Sequence, residues 1–151
     1  MIEELGVSLD FLEFPPAHTC HGENLSPKIS LKGLKGASIV IMVFDTSIRN
    51  CLSFTPWIIW NIPAQPVIPA GIPHGRIIIS PVSAIQGTND TGQIGYTGPC
   101  PRPGESHRYV FLVYGLDEEI DLYGGSTKYQ LNAAMQGHIV QYGMTDAVCT
   151  R

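Results

Sequence analysis

The segment Gly95–Asp117 reads GYTGPCPRPGESHRYVFLVYGLD, and two unlike halves meet in it. In the second half, Tyr109, Phe111 and Val113 alternate with Val110, Leu112 and Tyr114. Both parities are apolar, which suits a strand buried on both faces of a sheet. The first half crowds three prolines and three glycines between Gly95 and Gly104. Such a turn is stiff and tightly bent, more sharply defined than a connector requires. Stiff loops beside rigid strands are where proteins place binding groups.

Working outward from this segment, strands dominate. VSLDFLEF, Val7–Phe14, alternates as a half-buried strand, and ASIVIMVFD, Ala37–Asp45, is continuously apolar as a central strand would be. WIIWNIP, Trp57–Pro63, and GRIIIS, Gly75–Ser80, read as further strands with proline and glycine between them. The stretch from Ala64 to Gly104 leaves room for one or two short strands. STKYQLNAAMQGH predicts a helix: Thr127 and Gln130 can form a capping box, Leu131, Ala134 and Met135 share a face, and Gly137 can close the end. The pattern predicts a mainly β chain, a sandwich with a small helical addition near the C-terminus, in one domain spanning residues 1–151.

With 151 residues, 44% of them hydrophobic, the chain has the size and composition of one globular domain. A net charge of −4 and the lack of any Lys/Arg cluster beyond a pair argue against nucleic acid as a partner. The longest apolar run, Ile39–Phe44, is a strand, far short of a membrane span. The acidic, alternating start MIEELGVSLDF is unlike a secretory leader, so a cytoplasmic location is expected.

Cys20, Cys51, Cys100 and Cys149 show no C-x-x-C spacing, and reduced thiols are the default reading for a cytosolic chain. One disulfide is the alternative. Its best candidate is Cys20–Cys100, each cysteine in a proline- and glycine-bounded loop. His18, Cys20 and His21 converge poorly on a metal without further ligands, so no metal and no cofactor is expected. No G-x-S-x-G elbow and no G-x-G-x-x-G turn is present, which argues against a hydrolase triad and a dinucleotide site. Trp57 and Trp60 read as core residues of opposite parity, Arg108 as the partner of a carboxylate, and His138 as a structural residue at the helix end.

Several blocks carry a resemblance: HTCHGENLSPKIS, FDTS, FTPWIIWNIPA, QGTNDTGQIGYTGPCPRPGESHRYVFLVYGLD and LNAAMQGHI. In this order they resemble the phosphatidylethanolamine-binding protein family, which includes the Raf kinase inhibitor proteins and their bacterial and archaeal relatives. The resemblance implies an antiparallel Greek-key β-sandwich with a small pocket at one end. In the family that pocket takes phosphate-like anions, including a phospholipid head group. Members act by binding, some as protease or kinase inhibitors, and prokaryotic members are often dimers. No catalysed reaction defines the family, so a non-enzymatic role is expected.

Strand parity places His107 and Tyr109 on one face at the mouth of a strand. Asp45, ending another strand, offers a carboxylate, and Pro99 and Pro101 would wall the site. These five are the candidate ligand-binding residues. The resemblance also marks three departures. Relatives carry a second pocket histidine where Pro56 stands, a second acid where Ser47 stands, and commonly an acid at His21. The pocket is therefore less polar than the family norm, and weak phosphate binding is expected.

Overall fold

The computed structural model describes residues 2–47 and 54–151. Ten strands and one α-helix follow in chain order: β1 (Glu3–Glu4), β2 (Gly6–Ser8), β3 (Ile29–Lys32), β4 (Ser38–Asp45), β5 (Trp57–Pro63), β6 (Val67–Ile68), β7 (Ile77–Ile78), β8 (Ala84–Gln86), β9 (Ser106–Leu116), α1 (Lys128–Met135) and β10 (Ile139–Thr150). A seven-stranded sheet runs β1-β10-β9-β4-β5-β8-β7, and a three-stranded sheet runs β2-β3-β6. Among the described residues the strand pairings are antiparallel except that of β1 with β10, so the larger sheet is mixed at one edge.

β4 and β9 form the centre, and their composition explains why. Ile39, Ile41 and Val43 enter one apolar cluster with Trp57, Phe111 and the residues of the small sheet. Val40, Met42 and Phe44 enter a second cluster with Trp60, Val110, Leu112, Leu131 and Met135 of α1. A strand with apolar side chains on both parities can only be satisfied between two layers. The two tryptophans accordingly lie in different clusters, both fully buried.

The helix forms where its caps direct it. Thr127 accepts from the Gln130 backbone N–H, the Gln130 side chain accepts from the Thr127 N–H, and Gly137 turns the chain at φ +83°. Leu131 and Met135 are its buried face.

Other expectations give way. Val7–Phe14 is a strand only to Ser8; a bend follows, and Glu13 makes an isolated bridge to Val148. Gly75–Ser80 contributes two strand residues, with Ile77 and Ile79 exposed. Three short strands rather than two occupy Ala64–Gly104. The twelve-residue β10, absent from the sequence reading, pairs with β9 along its length. Its inward positions Gln141, Gly143, Ala147 and Cys149 are buried but small or polar, so the alternation carries no hydrophobic signal.

Candidate functional site

At one end of the large sheet, Asp45 stands opposite Tyr109 in the β4–β9 register, and His107 lies two residues back on β9. The period of two then puts all three on one face. The Asp45 carboxylate is almost entirely buried. Its Oδ1 accepts from the Ser47 backbone N–H at 3.0 Å, and its Oδ2 lies 2.9 Å from His107 Nδ1. Burial pushes the Asp45 carboxyl above its ordinary value, against the opposing pull of the Ser47 N–H and the His107 charge. The imidazole–carboxylate contact is close but angled away from a hydrogen bond, so buried Nδ1 has no aligned partner. The other ring nitrogen, Nε2, lies 3.9 Å from Glu105 Oε1, and the His107 side chain keeps 19% of its surface exposed.

Tyr109 is placed on this face but its hydroxyl is engaged. It donates to Thr97 O at 2.9 Å, its ring packs edge-on against Phe14, and burial pushes its phenol well above the ordinary value. With its proton committed, Tyr109 offers a phosphate no donor; it anchors the wall loop instead. Pro99 and Pro101, both buried, follow Thr97 on that loop. Arg108, on the opposite parity, pairs with Asp146 at 2.6 Å.

The wall is a junction of two loops. The Tyr96 hydroxyl donates to His18 O at 2.7 Å, the Gly98 N–H to Asn24 Oδ1 at 2.8 Å, and the Cys20 N–H to Pro99 O at 3.2 Å. A side chain at Gly98 would collide with His18 O, which is why the turn before Pro99 needs glycine. Cys20 and Cys100 form a disulfide with Cα atoms 5.3 Å apart. The default expectation of reduced thiols is therefore wrong for this pair, because the docked loops bring the two cysteines within bonding reach. Cys149 is a buried free thiol, and Cys51 lies outside the described residues. The His18 ring stacks on Phe11 and its Nδ1 lies 2.8 Å from Leu25 O. His138 pairs with Asp117 at 2.9 Å.

Sequence reasoning missed two further groups here. Glu105 reaches His107 from the turn, a contact no strand parity encodes. Thr55 sits beside Phe54, whose carbonyl accepts from the Asp45 N–H, and its neighbour Pro56 accepts from the Thr97 N–H. Among the described residues, Thr55 Oγ1 and His107 Nδ1 are the buried side-chain polar atoms without an aligned hydrogen-bond partner. Both belong to this end of the sheet.

The family model for phosphatidylethanolamine-binding proteins matches residues 9–149. The chain belongs to that family. A UPF0098 protein of Pyrococcus horikoshii is 44% identical over 135 residues, covering 87% of this chain and 68% of its own. A UPF0098 protein of Chlamydia trachomatis is 36% identical over 132 residues, covering 83% of each chain. Among solved structures, a phosphatidylethanolamine-binding protein homologue of Chlamydia trachomatis superposes with TM-score 0.82 at 28% identity, over 99% of both chains. Escherichia coli YbcL superposes with TM-score 0.81 at 23% identity, covering 97% of this chain and 98% of its own, a likeness of fold.

Proposed function

We propose that this protein is a non-enzymatic binding module whose pocket at the His107 end of the sheet takes a small phosphate-like anion or a phospholipid head group. The observation that supports this most is the half-buried His107 held against buried Asp45 at a strand mouth. With a proton on Nε2, His107 can donate to a phosphate oxygen, a hydrogen bond made charge-assisted by the anion. Thr55 Oγ1 supplies a second buried polar group at the same end. Carboxylates flank the His107 ring, Asp45 at Nδ1 and Glu105 toward Nε2, and the buried Cys149 thiol stands opposite His107 in the β9–β10 register.

Affinity is modest on this reading. Two acidic groups, Asp45 and Glu105, stand close to the single histidine, and Tyr109 has spent its proton. Glu105 also gives the site a partner for an ammonium, so a zwitterionic head group is better matched than bare phosphate. The test is thermal unfolding with phosphate and with phosphorylethanolamine. A ligand that binds only the native state stabilises by about 2.7 kcal/mol at one hundred times its Kd. A rise of several degrees, larger with phosphorylethanolamine, is expected; an unchanged midpoint with both compounds contradicts the proposal.

A further inference from the structure

The disulfide-linked loop junction carries a second set of chemistry-bearing groups, outside the Asp45–His107 pair. Cys20 Sγ, Cys100 Sγ and the His21 ring nitrogens lie within 4.8 Å of one another. Both ring nitrogens of His21 stand 3.8 Å from Cys20 Sγ. His21 and Cys100 are exposed. We propose that reduction of Cys20–Cys100 turns this junction into a binding site for one zinc-class cation, held by the two thiolates and the His21 imidazole.

The distances fit. A tetrahedral zinc with Zn–S of about 2.3 Å and Zn–N of about 2.0–2.1 Å sets its sulfur and nitrogen ligands roughly 3.6 Å apart. The same geometry sets its two sulfurs roughly 3.8 Å apart. The imidazole therefore already stands near its place, and the two sulfurs have only to separate once their bond is broken. That bond is not the only fastening of the two loops. Backbone and side-chain hydrogen bonds from Cys20 to Pro99, Gly98 to Asn24 and Tyr96 to His18 fasten the loops on both sides of the cysteines. The exposed side of the site leaves a fourth position for water. H-x-C-H in one loop is a poor metal motif; the missing ligand comes from the other loop.

The chemistry balances through an external dithiol. Two electrons and two protons pass from the dithiol to the Cys20–Cys100 bond, giving two cysteine thiols and the reductant's own disulfide. The cation then displaces both thiol protons as the two metal–sulfur bonds form, and neutral His21 supplies the third ligand. In the oxidised form neither sulfur is a thiolate, so the disulfide excludes the metal. Its three ligands are none of the groups assigned to the anion above, and its test reads independently of that proposal.

The probe is Co²⁺, added to phosphine-reduced, desalted protein under anaerobic conditions in a Cys51→Ser background. The expected result is one equivalent bound with a thiolate-to-cobalt charge-transfer band, displaced by Zn²⁺, and no such band in the oxidised protein. His21→Ala should weaken Co²⁺ binding at least tenfold. Zn²⁺ should also raise the melting temperature of the reduced protein and leave that of the oxidised protein unchanged, a readout that holds if reduction loosens the fold. Absence of the thiolate band, equal affinity in His21→Ala, or cobalt bound without thiolate character at the Asp117, Glu118 and His138 cluster would overturn the proposal.

Discussion

Asp45 is a buried carboxyl at the candidate site, and its burial links stability to pH. Its carboxyl ordinarily titrates at 3.8, and burial raises it in the folded chain. A raised acid favours the native state while protonated, so its contribution is fully present below about pH 3.8 and lost as pH rises through the native pKa. Asp45→Asn removes that loss and keeps an oxygen for the Ser47 N–H. The variant should therefore gain in melting temperature relative to the natural protein as pH climbs from about 4 toward 7. A relative loss over that range would show that the carboxylate is net stabilising there. Pro56 gives a second test at this scale. Pro56→His should tighten phosphate binding about tenfold, the value of one modest charge-assisted hydrogen bond, at some cost in stability because proline fixes the chain before Trp57. Calorimetry showing no gain in a folded variant would count against a donor-limited pocket. The shared face of His107 and Tyr109 was legible, because side-chain parity in a strand is fixed; Asp45, on another strand, joined them through the family resemblance, since parity does not set the register between strands. The engagement of the Tyr109 hydroxyl with Thr97 was not, because loop coordinates have no period.

Among the elements, β10 shows what a pattern of apolar residues cannot reveal. Gly143 lies where β1 crosses, and a side chain there would run into Leu5 O. A small residue is thus the condition for the parallel β1–β10 pairing, while it erases the hydrophobic alternation that would announce a strand. Gly143→Ala is expected to cost about 1–3 kcal/mol by overpacking. Gly137→Ala, at φ +83° with open space around it, should cost only the roughly 1 kcal/mol of a left-handed alanine. Melting temperatures should follow that order, and a reversed order would refute the close-approach argument. Conversely, β4, β5, β9 and α1 were legible almost to their ends, since their burial is carried by large apolar side chains and a capping box. Leu9, Phe11 and Phe14 imitate a continued strand but pack as loop residues against the core.

For the whole molecule, the disulfide fastens a loop junction that lies beside the candidate site. Cys20–Cys100 closes a loop of 80 residues, worth on the order of 4 kcal/mol by chain entropy. The double substitution Cys20→Ser with Cys100→Ser should lower the melting temperature by several degrees, whereas reductant should leave that variant unaffected. A variant as stable as the natural protein would mean that the hydrogen-bonded docking suffices alone. Burial of the large sheet on both faces followed from residues apolar on both parities together with the family resemblance; the bridge could not be chosen by spacing, because it needs the two loops to meet in space. The central claim is that His107 makes this end of the sheet a binding site. Calorimetric titration of phosphorylethanolamine into the natural protein and into His107→Ala tests it most directly. The account predicts weak one-to-one binding by the natural protein, reduced at least tenfold in a variant whose fold is intact; binding that is absent from the natural protein, or equal in both, would contradict it.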